Sequence, residues 1–162
     1  MVKVPALSER TPSLANEQSG WVHSFISLNY VGVQMPSGFL SYLPSGCPPK
    51  NAIVGPKLLF RLVRKSRFDD ADFQTTYEEG KFLRADPCQR CSISTLATEA
   101  AARHIRKVVP NLARRGIAAG VVPADAGVIQ HTPSSHSNQH WSWWPAADIV
   151  RHNFFELTDA AA

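Results

Sequence analysis

Lys57-Leu58-Leu59-Phe60-Arg61-Leu62-Val63-Arg64 is a short apolar run with charges only at its ends and at Arg61. It reads as a central strand. Downstream, Asp69 or Asp70 is placed to cap a helix through about Glu79, with Phe73 and Tyr77 stacked at i, i+4 and Gly80 as the stop. Residues 81–92 read as a loop containing Pro87, and Ser92–Leu96 as a second short strand. Thr98 predicts a capped helix from about Glu99 to Val109, with Ala102, Ile105 and Val109 inward and Pro110 just past its end. Gly116–Val122 and Val128–His131 read as strands joined by the Pro123–Gly127 turn. After a 132–139 loop, Trp141–Trp144 and Ile149–Leu157 supply the last strands.

This order predicts an α+β domain over residues 51–159, a small mixed or antiparallel sheet with two helices. The expected core is Leu59, Leu62, Phe73, Tyr77, Ile93, Leu96, Ala102, Ile105, Ile117, Val121, Ile129, Trp144, Ile149 and Phe154. Residues 1–50 read as a Pro-rich N-terminal extension. Its first 20 residues are polar and form a flexible arm. Trp21–Val33 is rich in aromatic and β-branched residues and suggests one or two strands. Four prolines and two glycines between 36 and 49 forbid a long helix there.

The 162 residues fit one domain with an appendage, and 44% hydrophobic against 19% charged residues gives enough apolar side chains for a real core. A net charge of +4 permits an anionic partner without requiring nucleic acid. Three cysteines, Cys47, Cys88 and Cys91, argue against a disulfide framework. No apolar run is long enough for a transmembrane helix, and the N-terminus lacks a signal core. The expectation is a soluble, cytoplasmic protein.

Cys88-Gln-Arg-Cys91 and His136-Ser-Asn-Gln-His140 contain ligand types for zinc, but the pairs lie much further apart than zinc-finger pairs do. Zinc on Cys88, Cys91, His136 and His140 is therefore the minority expectation, and no metal is the main one. The chain has no Gly-x-Ser-x-Gly elbow, phosphate-binding GxxxxGK[ST], GxGxxG or HExxH. Basic residues cluster at Lys57, Arg61, Arg64, Lys65 and Arg67, and again at Arg103, Arg106, Lys107, Arg114 and Arg115. The second group suits a helix C-terminus. Arg61, on a buried strand, would point into a cleft and meet a carboxylate or phosphate, or else sit on an exposed edge.

Three short motifs resemble a group of small uncharacterised bacterial proteins. They are the strand Leu59-Phe60-Arg61-Leu62-Val63-Arg64, the helix start Ala97-Thr98-Glu99-Ala100-Ala101-Ala102-Arg103, and the end His140-Trp141-Ser142-Trp143-Trp144. This resemblance covers about residues 58–157 and implies no activity. The Leu-Phe-Arg strand followed by Ser92-Ile-Ser94-Thr95 and a helix is also similar to the start of the ADP-ribosyltransferase-like fold. That resemblance implies that Arg61 meets the pyrophosphate of NAD, with a serine or threonine beside it. The glutamate pattern expected later in such a chain is missing: between 100 and 155 the only carboxylates are Asp125 and Asp148, leaving Gln130-His131 in its stead.

The functional expectation is a nucleotide- or phosphate-ligand-binding cleft. Arg61 is the anion contact and His140 the general acid/base. Ser94, Thr95, Ser142 and Trp144 line the ligand. Strand alternation puts His140, Ser142 and Trp144 on one face, and Trp141 and Trp143 on the other. The competing expectation is a non-enzymatic interaction protein, half of a two-gene module or a subunit of an assembly, whose partner meets Trp21, Phe25, Tyr30, Phe39 and Tyr42.

Overall fold

A computed structural model describes residues 38–64 and 67–160. Seven antiparallel strands form one sheet: β1 (Ile53–Val54), β2 (Lys57–Val63), β3 (Ile93–Leu96), β4 (Gly116–Val122), β5 (Gly127–His131), β6 (His140–Pro145) and β7 (Phe155–Asp159). Their spatial order is β1-β5-β6-β3-β2-β4-β7, so the run around Arg61 is central. Two helices accompany the sheet, a single turn α1 (Pro87–Arg90) and the longer α2 (Glu99–Val108). The fold is α+β with an antiparallel sheet.

Each face of the sheet has its own core. Leu59, Val63, Ile93, Ala118, Val122, Ile129 and Trp143 project to one face, where Phe73 and Phe155 cover them. Phe60, Leu96 and Ile117 project to the other, beneath Ala102 and Ile105 of α2. Thr98 caps α2 by accepting the Ala101 amide. Arg106 then ties the far turn of α2 to the edge strand, donating to Asp159 at 2.8 Å and to the Arg115 carbonyl at 3.1 Å. Of the second basic cluster, Arg103 and Arg106 are used in ion pairs with Glu99 and Asp159. A third cluster joins Val128, Trp144 and Cys91 to Phe39, Tyr42, Leu43 and Cys47.

Several expectations need correction. The helix through Glu79 is only a 3-10 turn, Asp70–Phe73, capped by Asp69. A continuing helix would need the carbonyls of Asp72 and Gln74 for its own amides. Arg61 takes both, at 2.7 and 3.4 Å. The 81–92 loop contains the turn α1, started by Asp86 and Pro87. Tyr77 and Val121 are 43% and 51% exposed and are not core. Trp143 is fully buried and belongs in it. Cys47 and Cys88 form a disulfide, which a low odd count of cysteines did not suggest. Residues 38–52 are built onto the sheet by that bond and by the Phe39↔Ala146 bridge. The strands expected over 21–33 and the arm before them lie outside the described residues, as do Trp21, Phe25, Tyr30 and Lys65.

Close approach of neighbouring backbone requires glycine at positions 55, 120 and 127. Gly127 has φ +126°, and a Cβ there would strike the Trp144 carbonyl. At Gly120 a Cβ would strike Phe154 and Phe155 where β4 meets β7.

The segment after the 3-10 turn is held by a bidentate ion pair. Arg151 donates to the two Glu78 oxygens at 2.7 and 2.9 Å and to the Phe73 carbonyl at 2.9 Å. Burial would raise the Glu78 pKa, but the Arg151 guanidinium, the Thr75 amide and the Tyr42 hydroxyl outweigh it and hold the group down to about 2. A depressed carboxylate contributes stability above its usual value of 4.5 and loses it as pH falls towards 2. Arg151→Met is expected to cost about 1–2 kcal/mol at neutral pH, between surface and buried pairs. It should also flatten the acid limb in that window. Urea unfolding across that pH range measures both.

Candidate functional site

β3 and β6 lie side by side with Ser94↔Ser142 and Leu96↔His140 as partners. Alternation therefore puts Ser94, His140, Ser142 and Trp144 on one face, and Thr95, Trp141 and Trp143 on the other. Ser94 is exposed at the surface, while His140 is half-buried. The Ser94 hydroxyl lies 2.7 Å from His140 Nε2. His140 Nδ1 lies 2.8 Å from the Thr132 carbonyl and 2.9 Å from the Thr132 hydroxyl.

A carbonyl only accepts, so the proton of the ring sits on Nδ1. Nε2 is then a bare lone pair, and the Ser94 hydroxyl is its donor. Burial lowers the His140 pKa, against the opposing hydrogen bond to Thr132, and the charges of His131 and Arg61 lower it further. Burial and the neighbouring positive charges thus favour the neutral imidazole. The polar chain continues away from the ring. Thr132 Oγ1 lies 2.8 Å from Ser142 Oγ, which donates to Gln89 Oε1 at 2.9 Å. Each hydroxyl in this chain can donate one step further from His140.

Arg61 reaches the same place differently. Alternation puts it on the face of Leu59 and Val63, opposite His140. β2 meets β3 through the pair Phe60↔Leu96, and beyond that pair the Ser94 carbonyl accepts Arg61 Nη1 at 2.6 Å. The guanidinium also lies over Phe73 and serves the Asp72 and Gln74 carbonyls. Desolvation pulls its pKa down to about 10. No carboxylate lies within ion-pair distance of it among the described residues. Three of its five N–H donors are used.

The remaining candidates have other duties. Thr95 Oγ1 donates to the Trp141 carbonyl at 3.0 Å on the opposite face. Trp144 is fully buried and its indole N–H donates to the Cys88 carbonyl at 2.9 Å. Both are structural. Ser142 is buried within the relay behind His140 and does not face solvent. The zinc set is not assembled, since Cys88 is bonded to Cys47 and no group of three His, Cys, Asp or Glu converges among the described residues. Cys91 is buried, and burial raises its thiol pKa.

The structure brings Ser94, His140 and Ser142 to one face, Ser142 behind the imidazole instead of toward solvent, and joins them through Thr132 and Gln89, which were not among the expected residues. The β5–β6 hairpin offered a signal for Thr132: its amide donates to the His140 carbonyl at 3.0 Å, the next rung after His131↔Trp141. Gln89 offered none, because α1 is distant in sequence. A depression of about 460 Å³ begins one residue from His140 and is lined by Thr98, His104, Ser134, His136, Asn138 and Gln139, among others. A second, of about 340 Å³, lies at Asp70, Gln74, Glu78 and Arg151. Neither is lined by Arg61, Ser94 or His140.

No family model, curated protein or solved structure matches this chain. The chemistry of the site rests on its own geometry. No helix among the described residues is long and apolar enough to cross a membrane.

Trp144→Ala should destabilise the domain by about 3–5 kcal/mol, the cost of emptying a large buried aromatic site. Chemical unfolding measures it. A loss under 1 kcal/mol would show that Trp144 is not a core residue.

Proposed function

We propose that this chain is a small enzyme acting on a phosphorylated ligand, a nucleotide among the candidates. His140 serves as general acid/base and Arg61 meets the ligand's anionic group. The observation that carries this reading is the 2.7 Å contact between an exposed serine hydroxyl and a neutral, oriented imidazole. A histidine needed only for packing has no reason to keep a lone pair aimed at an accessible hydroxyl. Arg61 supports the anion role through its charge, which lacks a carboxylate partner among the described residues and is felt at His140 across the sheet. The depression beside Gln139, rich in hydroxyls and imidazoles, offers room for the body of such a ligand.

The ADP-ribosyltransferase-like reading keeps its support from Arg61 and Ser94 lying together, and NAD remains a ligand to test. A cytoplasmic setting suits a nucleotide, whereas the Cys47–Cys88 disulfide suits an oxidising one. The reading is therefore framed around the phosphoryl group, which both settings supply. The interaction-protein reading loses part of its support, since Phe39 and Tyr42 pack against the cluster around Trp144 instead of forming a free surface.

Thermal unfolding with NAD, ADP and pyrophosphate tests the proposal. A ligand at a hundred times its Kd adds about 2.7 kcal/mol of stability, a shift of several degrees. At least one of the three should produce it, and Ser94→Ala and His140→Ala should reduce it. No shift with any of them, in a folded protein, would remove the nucleotide reading.

A further inference from the structure

We propose that Ser94 is a nucleophile toward an electrophilic phosphoryl centre, with His140 as its base. The inference rests on the reading above and goes further: Ser94 forms a bond to the substrate instead of only donating a hydrogen bond to it. Nucleophilic serines need an accessible oxygen, an adjacent base with a free lone pair, and a third group that fixes the base. Ser94 is exposed, His140 Nε2 is 2.7 Å away, and the Thr132 carbonyl holds the Nδ1 proton at 2.8 Å.

The third group is a carbonyl where hydrolytic triads have a carboxylate. It orients the ring and favours the imidazolium by its dipole, but supplies no full charge. The pair is therefore a weaker base than a carboxylate-backed one and suits a substrate with a good leaving group. The Thr132–Ser142–Gln89 chain accepts from the Nδ1 side and keeps that tautomer. Arg61 fixes the Ser94 backbone through its carbonyl at 2.6 Å. Its side chain leaves the other face of the sheet, but its charge, which no carboxylate neutralises among the described residues, is felt at His140 and favours anionic phosphate esters and anhydrides over neutral carboxylic esters.

The reaction balances without any redox partner. Ser94 Oγ attacks phosphorus and its proton passes to His140 Nε2. The bond from phosphorus to the leaving oxygen breaks, and that oxygen takes the proton from Nε2. Water then attacks the phosphoserine ester with His140 again as base. The water proton passes to Nε2, the bond from phosphorus to Ser94 Oγ breaks, and Oγ takes that proton, which restores the hydroxyl and releases a phosphate product.

An alkyl fluorophosphonate tests this on the full chain, because attack by Ser94 expels fluoride and leaves a stable adduct. Mass spectrometry of the intact protein and its peptides is expected to find one adduct, on Ser94, absent in Ser94→Ala. General base catalysis contributes about a hundredfold or more, so His140→Ala, checked for folding by circular dichroism, should label at least that much more slowly. The wild-type rate gives a second readout if that variant does not fold. It should fall as pH drops below 6.5, the ordinary histidine value, with its midpoint beneath it. The burst of nitrophenolate should be larger with bis(p-nitrophenyl) phosphate than with p-nitrophenyl acetate. No adduct on Ser94, an equal rate in folded His140→Ala, or a burst with the acetate alone would each overturn the proposal. Loss of labelling with the nucleotide shift retained removes the nucleophile and leaves the binding reading standing. Labelling without any nucleotide shift does the reverse.

Discussion

The register of β3 against β6 is the constraint on which the site and both cores depend. With Ile93 opposite Trp143 and Leu96 opposite His140, Ile93 and Trp143 enter one core together while Ser94, His140 and Ser142 share the other face. A slip of one residue would turn Trp143 and Ile93 out of one core and expose them. The same slip would take His140 away from Ser94. Burial of Trp143, Trp144 and Ile93, all at or near zero exposure, thus selects the arrangement that places a serine beside an imidazole. Packing provides the energy, and the chemistry follows from the register.

Arg61 shows how one side chain reshapes the chain around it. It sits on a strand with apolar neighbours and donates to three carbonyls from two segments, Asp72 and Gln74 in the turn and Ser94 in β3. Beside the Asp72 and Gln74 carbonyls that Arg61 holds, the amides a longer helix would pair internally go elsewhere, Thr75 N–H to Glu78 Oε2 at 2.8 Å and Tyr77 N–H to the Arg90 carbonyl at 2.9 Å. The Asp72 carboxylate closes the corner by accepting the Arg64 amide at 2.7 Å and the Arg64 side chain at 3.0 Å. Burial would raise the Asp72 pKa, and those Arg64 contacts keep it lowered instead.

The strands around Leu59, Ile117 and Ile129 and the helix after Thr98 were legible because period, capping and punctuation are local signals. The fate of Phe73–Glu79 was not, because partners outside the segment, Arg61 and Arg90 among them, help decide it. Alternation over His140–Trp144 separated the tryptophan faces and Trp144 was expected in the core, but no local signal could say that its indole N–H would donate to the Cys88 carbonyl. Thr95 looked equivalent to Ser94 in the sequence, but adjacent strand residues face opposite ways, and only one of the two meets the imidazole. The disulfide joins residues 41 apart in sequence, a pairing no spacing rule yields from three cysteines.

The central claim is that His140 is a neutral base with its lone pair on Nε2. Nitrogen-15 NMR of the imidazole in the intact protein at neutral pH tests it most directly. The account predicts a protonated Nδ1 and an unprotonated Nε2, with the ring becoming charged only below its ordinary value of 6.5. A ring protonated on Nε2, or one already charged at neutral pH, would contradict it.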